Sequence, residues 1–320
     1  MLQYVKEKVY DYNYFISSIM DQVRKMMGEE YTVSVYKVTK NNSLVLDSLV
    51  ILKKEKKFAP NIYLQPYYEA YIQGLSIQEL ARKLCDTYNN NLVPDINENF
   101  SYAYEDIKPF IIYRLVSYER NKKLLEKIPH MKYLDMVITY YCLVREDEEG
   151  IGTIRITNAH LQMWETSLQE LHTLAVNNTK LIFPAIIKSM DEMLLPMLQE
   201  EYMEGKEDLL SDKILDGFLL GDNKTNKYKM YVLSNSKGIN GATCLLYQDV
   251  LKEFSNEIQS DLFILPSSIH EVILVPFDGT IRMEALSELV KDVNHTQVAR
   301  DEVLSDRVYF YLRKNNAISM

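Results

Sequence analysis

Hydroxyl, imidazole and carboxylate side chains follow one another within residues 267–271. Ser267, Ser268, His270 and Glu271 supply the groups from which hydrolases build a nucleophile, a base and an orienting acid. That chemistry needs the base within hydrogen-bond reach of the hydroxyl, which neighbouring positions do not ensure. No Gly-x-Ser-x-Gly elbow surrounds either serine. Two interpretations stay open: a catalytic centre made of Ser268, His270 and Glu271, and a polar turn whose side chains bind backbone groups.

A second polar loop, residues 237–241, lies between a predicted strand and a predicted helix. Lys237, Gly238, Asn240 and Gly241 suit an anion, because a lysine brings positive charge and the N–H groups at a helix start are unpaired. The spacing matches neither the phosphate-binding P-loop nor the dinucleotide fingerprint. The competing interpretation is a tight turn in which glycine supplies backbone freedom and Asn240 caps the helix.

The residue spacing gives no support for a metal or a cofactor. The five histidines form no pair at ligand spacing, so we predict no metal site and no cofactor. Cys85, Cys142 and Cys244 are odd in number and far apart, which argues against a disulfide framework and a Cys-x-x-Cys metal pair. We expect reduced, buried thiols in a cytoplasmic protein.

Hydrophobic periodicity predicts an α+β protein as the frame for these loops. Residues 1–105 are predicted to form an amphipathic helix, an antiparallel meander and further helices. Residues 106–190 and residues 227–320 each follow the order strand, helix, strand, strand, helix, strand, which is the split β-α-β arrangement. Both candidate loops fall in the second of these tandem units.

Local patterns predict where individual helices begin. Ser76 with Glu79, and Ser167 with Glu170, have the spacing of capping boxes, in which a hydroxyl and a carboxylate satisfy helix N–H groups reciprocally. A further helix is predicted over residues 242–258, directly after the second polar loop.

The negative charge of the chain is concentrated in one segment. The net charge is −9, and residues 191–222 contain ten acidic and two basic side chains. We predict that residues 191–226 form a solvated acidic linker. An acidic protein is poorly suited to a phosphate backbone, and no apolar run reaches the ~18 residues of a membrane span. We therefore expect neither nucleic acid nor a membrane as a partner.

Several segments resemble a known family. They are residues 232–235, 239–242, 265–272, 293–298 and 303–306, with further matching stretches at 63–74, 158–164 and 175–179. The chain resembles an uncharacterised domain-of-unknown-function family of Firmicutes that is frequent in anaerobic gut bacteria. The likeness covers most of the chain and implies a protein of the bacterial cytoplasm. It implies no activity, cofactor or catalytic residue.

Two functions follow from these observations. The first is a non-enzymatic binding or adaptor protein, in which the acidic residues 191–222 or the lysine-rich residues 53–57 contact an unidentified protein partner. The second is a hydrolase or phosphate-ligand enzyme, in which residues 267–271 act on a substrate and residues 237–241 hold an anion. The second function requires the two loops to meet in space.

Overall fold

The computed structural model of the chain describes residues 11–54, 56, 59–90, 103–147, 150–193 and 229–319. The chain divides into two compact units, residues 1–102 and 103–320. Helices and antiparallel sheets occur in both, so the predicted α+β class is confirmed. Most of the predicted acidic linker, together with residues 55 and 57 of the lysine-rich stretch, lies outside the described residues.

The first unit packs helices against a three-stranded antiparallel sheet. Its first helix is capped by Asp11, whose carboxylate accepts from the Asn13 N–H at 2.7 Å, and ends at Gly28, where φ is +84°. Phe15 and Ile19 on this helix are fully buried. The elements are α1 (Tyr12–Met27), β1 (Tyr31–Thr39), β2 (Val45–Lys53), β3 (Asn61–Tyr63), α2 (Gln65–Ile72) and α3 (Ile77–Asn90).

Both predicted capping boxes are confirmed. The Glu79 N–H donates to the Ser76 hydroxyl at 3.3 Å, and the Ser76 N–H donates to the Glu79 carboxylate at 3.0 Å. The Glu170 N–H and the Ser167 hydroxyl are 3.2 Å apart, and the Ser167 N–H lies 2.9 Å from the Glu170 carboxylate. These contacts depend on residues three positions apart, which is why the sequence predicts them directly.

The second unit begins with a four-stranded sheet centred on β6. Strand β4 pairs with one edge of β6, and β5 and β7 pair in succession with the other. Along the outer edge of β4, the N–H groups of Tyr113 and Leu115 donate to the hydroxyls of Thr179 and Thr243, at 3.0 and 3.4 Å. The elements are α4 (Tyr104–Ile107), β4 (Ile111–Ser117), α5 (Tyr118–Leu125), β5 (His130–Tyr133), β6 (Met136–Asp147), β7 (Gly150–Arg155), α6 (Asn158–Met163) and α7 (Leu168–Ile182).

The same unit contains a six-stranded antiparallel sheet in the order β13-β12-β10-β11-β9-β8. Its edge strand β8 pairs with β9 from Ala185 opposite Asn235 to Ser189 opposite Tyr231. The elements are β8 (Ala185–Ser189), β9 (Tyr231–Asn235), α8 (Val250–Glu257), β10 (Leu262–Leu265), β11 (Val272–Pro276), α9 (Met283–Thr296), β12 (Tyr309–Leu312) and β13 (Ala317–Ser319).

Strand β8 belongs to a different sheet from the one that the predicted domain boundaries imply. The last strand expected in residues 106–190 completes the sheet formed by residues 227–320, and the first part of the unit gains β5 as an extra strand. Hydrophobic periodicity identifies a strand but not its pairing partner, because pairing is a long-range backbone contact.

The prediction of one helix over residues 242–258 is wrong. A 3-10 helix, Gly241–Leu246, is followed by the separate helix α8. Every residue from Gly241 to Leu245 is buried, so this stretch has no exposed face of the kind an amphipathic helix requires. Asn240 adopts left-handed backbone angles (φ +54°) and its side chain makes no capping bond, so its predicted role as an N-cap is also wrong.

A polar bridge ties the turn between β5 and β6 to the second sheet. The Asp135 carboxylate accepts a hydrogen bond from the Ser305 hydroxyl at 2.8 Å and another from the Tyr309 hydroxyl. Tyr309 is fully buried. This bridge joins the two sheets within the second unit. Among the described helices, none is long and apolar enough to cross a membrane.

Candidate functional site

The two loops singled out from the sequence meet in the structure. The Asn240 N–H donates to Nδ1 of His270 at 3.3 Å, and the Ala242 N–H donates to the Ile269 carbonyl at 3.2 Å. The Ser234 hydroxyl donates to the His270 carbonyl at 2.8 Å. The spatial convergence that an enzyme built from both loops requires is therefore present.

Gly241 makes this close approach sterically feasible. A Cβ atom built on Gly241 would lie 2.1 Å from the Ser234 hydroxyl, 2.5 Å from the His270 carbonyl oxygen and 2.7 Å from the Asn235 nitrogen. Two of these neighbours are backbone atoms, which cannot rotate away as the end of a flexible side chain can. The glycine is thus needed for contact between the loops rather than for binding an anion.

Both nitrogens of the His270 imidazole face protein groups. Because Nδ1 receives the Asn240 N–H, its lone pair is already occupied and the ring proton belongs on Nε2. Nε2 lies 3.4 Å from a carboxylate oxygen of Glu302, and 27% of the His270 side chain is exposed. The ring therefore bridges residues 237–241 and the segment that carries Glu302.

The Ser268 hydroxyl is engaged with the backbone and not with the imidazole ring. It accepts from the backbone N–H of His270 at 3.0 Å, and Ser268 is only 5% exposed. The backbone of Ser268 also bridges to Val303, and the Ser267 carbonyl accepts from Leu304. This arrangement matches the polar-turn interpretation, in which side chains hold backbone groups in place.

The Glu271 carboxyl lies beside this junction in a partly buried position. Burial raises its pKa, and the charge of Glu302 adds to that rise, whereas Ser268 and His270 oppose it. Glu271 therefore holds its proton more tightly than an exposed glutamate.

Three backbone donors of residues 237–241, those of Lys237, Gly238 and Asn240, are used within the protein. The Asn235 side chain accepts from the Lys237 N–H at 3.0 Å and donates to the Ile239 carbonyl at 2.9 Å. The Gly238 N–H donates to the Asn235 carbonyl at 3.1 Å, and Gly238 has φ +66°. Since Asn240 donates to His270, three of the N–H groups on which the anion interpretation depends are already engaged.

A small cavity lies where this loop meets β4. Its volume is about 10 Å³, which is room for about one water molecule. A substrate does not fit there in this conformation. The lining residues come from β4, β7, the end of α7, the end of β9, the loop and the 3-10 helix after it. They are Ile112, Tyr113, Arg114, Ile151, Thr179, Phe183, Asn235, Ile239, Asn240 and Thr243.

A much larger groove runs between β8, β9 and α8. Its volume is about 410 Å³, within the range of small ligand sites. The lining is more polar than apolar, and the charged groups among its described residues are all carboxylates. We call this surface the acidic groove, and it is lined by Ala185, Ile187, Ser189, Glu192, Tyr231, Val250, Glu253, Phe254 and Glu257.

Local structure places the three carboxylates of the acidic groove. Glu192 accepts from the Ser189 N–H at 3.3 Å, while the Glu192 N–H donates to the Ser189 hydroxyl at 3.2 Å, as in a capping box. Glu253 and Glu257 are four positions apart on α8, so they lie on one helix face. All three glutamates are exposed.

Sequence reasoning missed several residues of these surfaces. Glu302 reaches His270 from more than thirty positions away, and Arg114 reaches the cavity from a different sheet. No local pattern marks either residue. The spacing of Glu253 and Glu257 could have identified an acidic helix face, and Glu192 belongs to the acidic stretch that the sequence did single out.

Comparisons with known proteins give a family and no activity. Within the described residues, no group of three or more histidine, cysteine, aspartate or glutamate side chains is arranged to hold a metal ion. No curated protein and no solved structure matches the chain. A family model described as a family of unknown function, DUF5688, matches residues 12–313. The chain therefore belongs to the DUF5688 family.

Proposed function

We propose that this chain is a binding protein whose acidic groove holds a positively charged, extended segment of a protein partner. The observation that carries the proposal is the charge of the groove: Glu192, Glu253 and Glu257 line it together with several apolar side chains, and none of the described residues in the lining is basic. Lysine or arginine side chains would contact the carboxylates, and apolar side chains between them would contact Ile187 and Phe254.

The sheet edge beside the groove favours an extended segment. Among the described strands, β8 pairs with β9 on one side and with none on the other. An added strand can use such an edge for backbone hydrogen bonds, while its alternate side chains enter neighbouring pockets. The residues of β8 that line the groove, Ala185, Ile187 and Ser189, alternate as a pleated strand requires.

The proposal places this interaction in the bacterial cytoplasm. The resemblance of the sequence to a bacterial family supports that origin. The three cysteines, Cys85, Cys142 and Cys244, are unpaired thiols, which suits a reducing compartment.

Peptide binding measured by fluorescence anisotropy tests the proposal. The probe is a labelled peptide of about eight residues with alternating lysine and valine, long enough to form one strand. We expect saturable binding that weakens as salt rises from about 0.05 M to about 0.5 M. The double variant Glu253→Gln, Glu257→Gln should bind about threefold to tenfold more weakly, because each exposed charge pair contributes roughly 0.2–1 kcal/mol.

The chain offers a matched control on α9. Glu284 and Glu288 have the same four-residue spacing on an exposed helix face, so Glu284→Gln, Glu288→Gln removes equal charge elsewhere. We expect this control to bind the peptide like the unmodified protein. Equal weakening in both double variants, or equal binding of a glutamate–valine peptide, would contradict the proposal.

The convergence of the two loops favours a second candidate, a hydrolase or phosphate-ligand enzyme at His270. The occupied Nδ1 and the buried Ser268 hydroxyl are unfavourable for nucleophilic hydrolysis. Hydrolysis of p-nitrophenyl acetate and p-nitrophenyl phosphate tests this candidate. Turnover that disappears in both His270→Gln and Ser268→Ala would establish it, and turnover equal to that of buffer would exclude it for these substrates.

A further inference from the structure

Strand β8 presents different side chains on its two faces. Ala185, Ile187 and Ser189 face the acidic groove, and the residues between them, Ile186 and Lys188, lie on the opposite face of the sheet. The Ile186 side chain is 37% exposed, and Lys188 is exposed as well. A strand added at this edge would therefore meet carboxylates on one face, and an apolar and a basic side chain on the other.

The core on the opposite face covers the inner strands of the sheet. Strand pairing places Lys188 opposite Val232, and Val232 opposite Ile273. Ile273 packs against a buried cluster that Leu286 of α9 shares with Phe263 of β10. Among the described residues, that cluster includes none from β8. The far face of β8 thus lies beside the core and keeps its two side chains accessible.

We propose that the segment bound at β8 is recognised on both of its faces, an inference that rests on the function proposed above. Its positions over the acidic groove carry lysine or arginine. The alternate positions place an apolar side chain beside Ile186 and an aspartate or glutamate beside Lys188. Residues directly opposite each other on paired strands have Cβ atoms about 4.5–5.5 Å apart, and opposite charges at that distance stabilise the pairing. The partner is then a two-faced strand and not simply a basic one.

The spacing along β8 fixes the spacing along the partner. Ile186 and Lys188 are two positions apart, so the apolar and the acidic side chain that contact them are also two positions apart. A slip of one residue exchanges the two faces of the bound strand. Its lysines would then lie beside Lys188, and its carboxylate would face Glu253 and Glu257. Because like charges would meet on both faces, the charges select the register.

Two peptides that differ in one side chain test this inference on the unmodified protein. Both are the lysine–valine peptide of about eight residues, with glutamate or glutamine in place of the valine nearest the middle. A valine two positions away on each side suits either strand direction. By fluorescence anisotropy, the glutamate peptide should bind about twofold to fivefold more tightly, the range of an exposed ion pair. The acidic groove alone predicts the reverse order, because glutamate lowers the positive charge of the peptide.

Variants of β8 locate the preference. In Lys188→Gln the glutamate peptide should lose its advantage, and in Lys188→Glu the glutamine peptide should bind more tightly. Ile186→Thr keeps a β-branched side chain but loses apolar contact, so it should weaken the binding of both peptides equally. Lys291→Gln removes the same charge from an exposed position on α9 and should keep the full preference for glutamate.

The outcomes separate this inference from the function on which it rests. Equal or tighter binding of the glutamine peptide to the unmodified protein would overturn recognition on both faces and leave the acidic groove as a binding site. An undiminished preference for glutamate in Lys188→Gln would overturn it in the same way. Absence of saturable binding for every peptide would overturn the inference and the proposed function together.

Discussion

The hydroxyl of Tyr309 on β12 donates a hydrogen bond to the carboxylate of Asp135, which lies in the turn between β5 and β6. The two residues belong to different sheets of the second unit and are 174 positions apart. Burial and the neighbouring carboxylate both raise the pKa of the Tyr309 hydroxyl, so it remains a donor throughout the neutral range.

Tyr309→Phe should therefore destabilise the protein by about 1.5–3 kcal/mol, the usual contribution of a hydrogen bond to a charged group. Urea denaturation followed by circular dichroism measures the change. Tyr118→Phe is the control, since the described residues give its hydroxyl no hydrogen bond, and it should change the free energy of unfolding by less than about 0.5 kcal/mol. Equal effects of the two substitutions would show that the bridge to Asp135 contributes nothing.

Gly241→Ala should be among the most damaging single substitutions in the second unit. The added methyl group would overlap the His270 carbonyl and the Asn235 backbone nitrogen, so the two loops must separate. We expect a loss of about 2–4 kcal/mol in the free energy of unfolding.

Gly279→Ala provides the comparison for Gly241→Ala. Gly279 has φ +78°, and no atom lies within 4 Å of the position that an added Cβ would take. Its substitution therefore costs only backbone strain, about 1 kcal/mol. If both alanine variants unfold at the same urea concentration, the close approach at Gly241 does not limit stability.

The first unit should lose stability in alkali through Tyr12. Its hydroxyl donates to Asp47 at 2.9 Å, and burial followed by that carboxylate raises its pKa to about 12. The Tyr12 hydroxyl stabilises the fold fully below pH 10, where the unfolded chain also keeps the proton. This stabilisation disappears as the pH rises to about 12. Because Tyr12 is partly exposed, we expect a contribution on the order of 1 kcal/mol.

Denaturation between pH 8 and pH 12 measures how much the Tyr12 hydroxyl contributes to the free energy of unfolding. Tyr12→Phe should flatten the decline in the free energy of unfolding over that interval. Tyr14→Phe, on the exposed side of the same helix, should leave the decline unchanged. An unchanged slope in Tyr12→Phe would mean that this hydroxyl titrates alike in folded and unfolded chains.

Two of the three thiols should resist modification in the native protein. Cys142 and Cys244 are fully buried, and burial raises the pKa of each thiol to about 12. With a disulfide reagent at pH 8, we expect both to react only at the rate of unfolding and all three cysteines to react in urea. Rapid native labelling of Cys142 or Cys244, located by mass spectrometry, would contradict their burial.

The sequence predicted the features that depend on near neighbours. Both capping boxes are set by residues within one turn of helix, so their spacing is informative. The expectation of three buried, unpaired thiols is confirmed for Cys142 and Cys244, whereas Cys85 is unpaired but only partly buried.

Long-range contacts explain the remaining differences. Strand β8 pairs with β9 across more than forty residues, and the stretch after Asn240 is a buried 3-10 helix in place of the first part of the expected helix. In the candidate site, the sequence identified the loop residues that meet but not their partner Glu302. Hydrophobic periodicity predicts which residues are buried, but it does not predict which residues they pack against.

The threonine contacts along β4 constrain the order in which this protein becomes stable during synthesis. The Leu115 N–H finds its partner in the hydroxyl of Thr243, and a buried backbone donor left without a partner is costly. A nascent chain that ends at β8 contains all four strands of the sheet centred on β6, but it lacks the Thr243 hydroxyl. Until roughly fifty more residues have been synthesised, this edge of β4 has only water as its partner, and a fragment ending at residue 193 leaves the edge exposed to solvent.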